Sequence, residues 1–429
     1  MTQYGYFDDE QREYVITTPQ TPVKWINYLG TLAFGGFVDQ TGGILLCRQD
    51  PALNRITKYL TQNPPSEFRA TTIYLRTPDG EGGYDVFSPF YVPTLTPYDK
   101  YACHVGLGYS RFVSEMHGLR TEVRIFIPRG ENVLVQQVSV TNLSEESQEV
   151  DLVPVVEYTH PDALKQLNNA DWVPQTMQSY LHEEAGGRKI ISQAPFMFKD
   201  IRRNFFTADV PVASFETDRC VFLGENGYGA WTSPGSLQDQ ELGNGVALRG
   251  DNITALMLHL GEIPPGESRG TIVLLGQTAK IEEALPIIQH YRDEAAVEEA
   301  FEVLKVDWSH VLSTIQVKTP DLDMDRMLNI HNPRQCLITM NWSRYLSLYQ
   351  LGFGARGMGF RDSSQDVMGA LPGSPEASKK LLVKLLQVQK RDGSAMHQFN
   401  PLTMIANTGD SGGEEDRPKF YSDDHLWGI

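Results

Sequence analysis

The spacing of apolar residues changes along the chain near Gln277, from the period of a strand to the period of a helix. Residues 119–127 and 133–141 alternate apolar and polar side chains on either side of a Pro-Arg-Gly turn, which predicts two antiparallel strands. The runs 255–260 and 271–276 are largely apolar and flank the sequence IPPGESR, which predicts a hairpin with both faces covered. Many short strands of this kind are typical of a large antiparallel β-sandwich.

After Gln277 the apolar residues recur every three or four positions. Ile281, Leu285 and Ile288 share one helical face, and helices are also predicted at 322–331 and 374–390. We therefore predict a multidomain protein in which β-structure precedes α-structure. Its regions are a β-sandwich domain at 1–277, a helical linker at 278–318 and the beginning of an all-α domain at 319–429.

Composition and charge exclude several classes of protein. With 41% apolar and 21% charged residues, the 429-residue chain has enough apolar surface to fold. Its net charge of -17 makes nucleic acid and anionic membranes unfavourable partners. No apolar run is long enough to span a bilayer, and the polar N-terminus resembles no export signal, so we expect a cytoplasmic location. Four widely spaced cysteines predict reduced thiols and no structural metal site.

A dense polar cluster follows a glycine-rich segment in the all-α region. Residues 352–357 fit the pattern GxGxxG, but helical surroundings argue against a dinucleotide site, which requires a strand before the motif. Arg356, Arg361 and Asp362 lie within or directly after this segment. Guanidinium and carboxylate groups together supply the donors and acceptors that sugar hydroxyls require. The alternative is an internal salt-bridge network that anchors a loop.

Two further polar groups come later in the chain. His397 and Gln398 stand among apolar neighbours, where a hydrogen-bonded core pair is the ordinary interpretation. Asp423 and Asp424 precede His425 in a pattern that fits an acidic catalytic cluster, although paired aspartates also commonly begin a helix. Since the chain ends shortly afterwards, at what looks like the start of a helix, we expect it to be a fragment of a longer protein.

The motifs ARGMGFRDSSQD, HQFNPLT and YSDDHLW resemble the inverting cellobiose phosphorylase family, glycoside hydrolase family 94. Matches run from Tyr4 to Trp427 in the order that the family shows. The resemblance implies an N-terminal β-sandwich, a helical linker and an (α/α)6 catalytic barrel, incomplete in this chain. It also implies a homodimer when the protein is full length.

The reaction implied by the resemblance is phosphorolysis of a β-linked glucosyl disaccharide with inversion, which yields α-glucose 1-phosphate. Such an enzyme is a hexosyltransferase. Inverting hydrolysis needs an acid for the leaving oxygen and a base to activate water. Phosphate is already an anionic nucleophile, so one general acid and a phosphate pocket suffice. We therefore expect the disaccharide and phosphate as substrates, and neither a metal nor an organic cofactor.

The resemblance also implies residue roles. Arg356 and Asp362 match residues that hold the donor glucosyl ring, and Arg361 is expected to shape that subsite. Gln398 and Asp424 are weaker candidates for substrate binding. The family's general acid lies in an Asp-Trp-Asn-Asp segment that this chain does not contain, so the catalytic residue is unassigned, with Asp423 as the fallback.

Two alternatives stay open at this point. The chain as given is either part of an active phosphorylase or a catalytically inactive fragment that binds carbohydrate or packs against other domains. A second alternative is an inverting glycoside hydrolase, which would need a base that the sequence does not identify. The sequence leaves the acceptor sugar and the preferred linkage undetermined.

Overall fold

The computed structural model describes residues 3–61, 63–198, 202–224, 228–343, 357–401, 403–408 and 421–428. The chain divides into two compact units. One contains Met1–Gln49 with Asn54–Leu304, and the other contains Asp50–Leu53 with Lys305–Ile429. Across the described ranges, no helix combines the length and apolar character that a membrane crossing needs.

The first unit is built mainly from strands, numbered here along the chain. Their bounds are β1 Gly5–Asp8, β2 Glu13–Ile16, β3 Ile26–Gly30, β4 Gly35–Asp39, β5 Ile44–Cys47, β6 Thr71–Pro78, β7 Tyr84–Phe87, β8 Lys100–Val105, β9 Tyr109–Met116, β10 Leu119–Phe126, β11 Val133–Asn142, β12 Gln148–Glu157, β13 Met177–Glu183, β14 Lys189–Pro195, β15 Arg203–Ala208, β16 Ser214–Asp218, β17 Asn252–Ile263 and β18 Ser268–Thr278. Two short helices accompany them, α1 Ala163–Asn168 and α2 Arg219–Leu223.

These strands form a large antiparallel sandwich, which confirms the predicted fold class. Within the described residues, a ten-stranded sheet has the order β1-β2-β8-β9-β10-β11-β18-β15-β14-β13. A five-stranded sheet has the order β16-β17-β12-β6-β7, and β3, β4 and β5 form a smaller sheet. The predicted pairing of β10 with β11 is confirmed, with Val123 opposite Val138.

The five-stranded sheet has an apolar core on each face, which explains the continuously apolar centre of β12. Alternate residues of β12 enter different cores: Leu152 and Val156 belong to the core that also holds residues of the ten-stranded sheet. Val153 and Val155 belong to a second core, on the opposite face, together with Phe222 of α2. A strand segment that is covered on both sides is apolar at successive positions, as observed at 152–156 of β12.

The predicted hairpin between 255–260 and 271–276 is wrong. β17 lies in the five-stranded sheet and pairs with β12 and β16, whereas β18 lies in the ten-stranded sheet and pairs with β11 and β15. The connection therefore crosses from one sheet to the other. The Asn142 side chain anchors it by donating to the carbonyl of Ile263 at 2.8 Å, and the Asn142 carbonyl accepts from Gly266 N, also at 2.8 Å.

Helices follow the strands, in the predicted order. The described helices are α3 Ile281–Tyr291, α4 Glu294–Ser313, α5 Leu322–Arg326, α6 Asn332–Ile338, α7 Phe360–Ala370 and α8 Pro375–Gln387. The division between the two units at Leu304 falls inside α4. The domain boundaries predicted at 277 and 318 stay predictions.

The helix predicted at 322–331 is irregular in its second half. α5 ends at Arg326 and a π-helical turn, Met327–His331, follows it directly. Pro333 then occupies the first turn of α6, where its missing N–H and fixed φ are tolerated. Pro333 therefore lies where the helical type changes, directly after the π-helical turn.

A buried charge holds a loop against the five-stranded sheet. The side chain of Arg76 on β6 is 1% exposed, and its Nε donates to Asp151 Oδ2 of β12 at 2.8 Å. Its remaining N–H groups donate to carbonyl oxygens of the loop, those of Leu237, Asp239 and Gln240. The ring of Tyr84 lies 4.0 Å from the guanidinium carbon.

Replacing Arg76 with Met should destabilise the β-rich unit by about 3–5 kcal/mol, because the buried Asp151 loses its arginine partner and three carbonyls lose a donor. The matched control is Arg269→Met at a half-exposed arginine, for which we expect a change within about 0.5 kcal/mol. Urea-induced unfolding of both variants measures the difference. Equal effects would contradict the importance of the Arg76 network.

His259 bridges the same carboxylate to the loop. Its Nδ1 lies 2.5 Å from Asp151 Oδ1, and its Nε2 lies 3.1 Å from Glu241 Oε1. Partial burial acts to lower the pKa of His259, but its hydrogen bonds and charge interactions with Asp151 and Glu241 outweigh burial and raise it above its ordinary value of 6.5. The folded protein therefore holds this proton more tightly than the unfolded chain does.

The stabilisation from His259 should depend on pH. It is fully present below the ordinary pKa and is lost as the pH rises through the higher pKa of the folded state. Replacing His259 with Gln should therefore reduce the free energy of unfolding more at about pH 6 than at about pH 9. Urea unfolding of both proteins at the two pH values tests this, and a larger loss at the higher pH would contradict it.

Candidate functional site

The glycine-rich segment leads into the start of α7, which carries two of the predicted site residues. Gly359 precedes the helix, and Arg361 and Asp362 lie in its first turn. A Cβ atom on Gly359 would lie 2.6 Å from Asp362 Oδ2, so glycine leaves room for this carboxylate. A negative charge in the first turn also interacts favourably with the helix dipole.

A small sheet brings Gln398 beside this segment. Strand β19, Met358–Gly359, pairs with β20, Gln398–Phe399, which in turn pairs with β21, Ala406–Asn407. The Gln398 side chain donates to Asn407 Oδ1 at 2.9 Å and accepts from Gly357 N at 3.5 Å. A Cβ on Gly357 would lie 2.1 Å from the carbonyl oxygen of Phe399, so this glycine permits close approach of the two chain segments.

Asp423 and Asp424, near the C-terminal end of the chain, contact two other segments of this region. Asp423 Oδ2 accepts from Arg361 at 2.8 Å, and both side chains are partly exposed. The hydrogen bond from Arg361 lowers the pKa of Asp423, and the same bond raises the pKa of the Arg361 guanidinium. Asp424 begins a 3-10 helix, Asp424–Gly428, and its Oδ2 lies 2.9 Å from Nδ1 of His397.

Three buried polar atoms in this region have no hydrogen-bond partner among the described residues. They are Ser363 Oγ, Asp424 Oδ1 and His425 Nδ1. Ser363 belongs to α7 and the other two to the 3-10 helix that contacts it. Buried polar groups in proteins are normally hydrogen-bonded, so such exceptions commonly mark functional sites or bound water.

The structure brings most of the predicted site residues together. Arg361, Asp362, Gln398, Asp423 and Asp424 lie on chain segments that contact one another. Arg356 lies outside the described residues. The predicted substrate-binding roles remain predictions, and the Arg361–Asp423 ion pair fits the alternative of a loop-anchoring network as well.

Sequence reasoning left His397 out of the site. Its imidazole contacts Asp424, and its ring centroid lies 4.1 Å from that of Tyr421. A histidine among apolar residues gave no local sign of this contact, because its partner is 27 positions away. The aspartate pair in YSDDHLW was the signal that pointed to the region.

No group of His, Cys, Asp or Glu within the described parts of the chain is arranged to hold a metal ion. The cluster instead offers one guanidinium, several carboxylates, an amide and an imidazole. Such a set can donate to and accept from the hydroxyl groups of a polar ligand. The expectation that no cofactor is needed remains untested.

Comparison with known proteins supplies the family. The model of the glycosyl hydrolase 94 supersandwich domain matches residues 12–294, and that of the glycosyl hydrolase 94 superfamily catalytic domain matches residues 307–429. An N,N'-diacetylchitobiose phosphorylase from Vibrio proteolyticus is 27% identical over 446 residues, which cover 100% of this chain and 54% of that protein. A solabiose phosphorylase from Paenibacillus borealis is 25% identical, covering 100% of this chain and 51% of that protein.

A solved structure supports the same fold at much lower identity. A bacterial glucoamylase complexed with acarbose has a TM-score of 0.51 and 11% identity, covering 88% of this chain and 52% of that one. The chain spans about half the length of the curated relatives it matches. Since the two domain models together match nearly all of the sequence, in the order of the observed β-rich and helical units, this chain belongs to glycosyl hydrolase family 94.

Proposed function

We propose that the protein to which this chain belongs is an inverting glycoside phosphorylase. It cleaves a β-linked glucosyl disaccharide with inorganic phosphate to give α-glucose 1-phosphate and a free acceptor. The observation that carries the proposal is the match of the family's catalytic domain to residues 307–429, which hold the whole polar cluster. The phosphorylase names of the relatives from Vibrio and Paenibacillus support the same type of reaction.

The charge of the cluster supports a role in binding the donor sugar rather than phosphate. Arg361 pairs with Asp423 and interacts electrostatically with Asp362 and Asp424, so these four groups carry a net charge of -2 when all are ionised. An excess of carboxylate repels a phosphate dianion, whereas uncharged sugar hydroxyls can donate to it. Adding the positive charge of Arg356 to these four groups still leaves a net negative charge.

The general acid is assigned to no residue of this chain. Asp423 accepts a hydrogen bond from Arg361, which lowers its pKa and keeps it ionised at neutral pH. A proton donor requires a pKa near the working pH or above it, so this pairing argues against Asp423 as the acid. We propose that the acid and the phosphate-binding residues lie outside these 429 residues. The homodimer and the cytoplasmic location belong to the same proposal.

Phosphate dependence tests the proposed reaction. The protein encoded by the complete reading frame and the 429-residue chain are assayed separately. Each is incubated with cellobiose, cellobionic acid, laminaribiose or N,N'-diacetylchitobiose, with and without phosphate. We expect the complete protein to release α-glucose 1-phosphate only with phosphate, and the 429-residue chain to be inactive. Phosphate-independent release of glucose would identify a hydrolase, and cleavage of N,N'-diacetylchitobiose alone would contradict the glucosyl donor.

Replacing Asp362 with Asn should lower kcat/KM of the complete protein by at least about 100-fold, because it removes a charged acceptor of sugar hydrogen bonds. The control is Glu376→Gln, which changes an exposed carboxylate in the first turn of α8 and should leave kcat/KM within about twofold. Steady-state release of glucose 1-phosphate provides the measurement. Equal activities of the two variants would exclude Asp362 from the donor site.

A further inference from the structure

The imidazole of His397 is held in place from one side and open to solvent on another. Its Nδ1 lies 2.9 Å from Asp424 Oδ2; the Asp424 side chain is 0% exposed and that of His397 is 27% exposed. The ring of Tyr421 packs at 4.1 Å between centroids, with 31° between the planes. The His397 carbonyl also accepts from Phe360 N at 2.9 Å, which ties the residue to the start of α7.

The contact with Asp424 determines which ring nitrogen of His397 can accept a hydrogen bond from a ligand. An ionised carboxylate is an acceptor of hydrogen bonds, so Nδ1 must carry the proton that it donates to Asp424. In a neutral imidazole, Nε2 then keeps a lone pair. Within the described residues, no hydrogen-bond donor contacts Nε2. A ligand that binds there must supply a donor.

The charges around His397 indicate which kind of ligand can donate a hydrogen bond to Nε2. Asp362, Asp423 and Asp424 outnumber the guanidinium of Arg361 in the same cluster, which disfavours an anionic ligand. Sugar hydroxyl groups are uncharged donors. We propose that His397 contacts the donor sugar by accepting a hydrogen bond at Nε2 from a hydroxyl group, and that Asp424 is the positioning residue that sets the imidazole tautomer. The proposal rests on the proposed function for the identity of that sugar.

The surroundings of Asp424 are consistent with a positioning role. Its second oxygen, Oδ1, is buried and has no hydrogen-bond partner among the residues that the structure describes. A buried oxygen without a partner lowers stability. A carboxylate kept at such a position is explained if its contact with His397 serves binding.

Two substitutions at His397 test the roles of its two ring nitrogens separately. Asn places an amide N–H near the position of Nδ1, so His397→Asn keeps a donor for Asp424 but removes Nε2. We expect KM for the disaccharide to rise about tenfold in the complete protein, the usual effect of one lost hydrogen bond, with kcat and KM for phosphate within about twofold. Gln carries its amide oxygen farther from the backbone, so His397→Gln should recover part of the affinity.

Nitrogen-15 NMR of the 429-residue chain reads the tautomer directly and needs no activity. We expect a protonated Nδ1 and an unprotonated Nε2 in the free chain, and a shift of the Nε2 resonance when glucose or cellobiose is added. Asp424→Asn should move part of the proton population to Nε2, because the amide can donate to Nδ1. An unchanged tautomer in this variant would overturn the positioning role of Asp424.

The outcomes distinguish this inference from the proposed function. If the complete protein shows no phosphorolysis but sugar still shifts Nε2, the proposed function fails and the contact stands. If phosphorolysis occurs and His397→Asn leaves KM for the disaccharide unchanged, the contact is overturned alone. A free chain with the proton on Nε2 would also overturn it.

Discussion

Two consecutive carboxylates organise the polar cluster in the helical unit. Asp423 contacts Arg361 on α7, while its neighbour Asp424 contacts His397, directly before the central strand β20 of the small sheet. Consecutive side chains at the start of a 3-10 helix point in different directions, so one short segment can contact two others. The arrangement joins residues that are separated by 62 positions in one pair and 27 in the other.

The Arg361–Asp423 ion pair and the His397–Asp424 hydrogen bond have different physical roles because their burial differs. Arg361 and Asp423 are 39% and 44% exposed, and pairs of this kind contribute at most about 1 kcal/mol to stability. Their contact orients the guanidinium more than it stabilises the fold. Asp424 is buried, so its interaction with His397 is little screened by water and can fix a tautomer. Stability is provided elsewhere, by the apolar cores of the sandwich and buried contacts such as that of Arg76 with Asp151.

Much of the fold follows from hydrophobic periodicity. The pairing of β10 with β11 and the position of α3 were predictable, because alternation and helical spacing are local properties. The placement of β17 and β18 was not, since a four-residue connection permits either a hairpin or a crossing between sheets. The choice depends on which strands are already paired with β11 and β12, and this information lies far away in the sequence.

The candidate site shows the same division between local and distant information. Arg361 and Asp362 were identifiable from a motif within one segment, and the family resemblance extended to Gln398 and Asp424. His397 was interpreted as a core residue because its surroundings in sequence are apolar. Its contact with Asp424 arises because β20 pairs with β19, which leads into α7, and because the 3-10 helix contacts α7; no short pattern encodes this arrangement. Arg356 lies outside the described residues, so its predicted role stays a prediction.

We propose above all that this polar cluster binds the donor sugar of a glycoside. The most direct test is the structure of a crystal of this chain that has been soaked in glucose. We predict one glucose molecule with hydroxyl groups within hydrogen-bonding distance of Asp362 and of His397 Nε2. Glucose bound at another place, with the cluster occupied by water alone, would contradict the account.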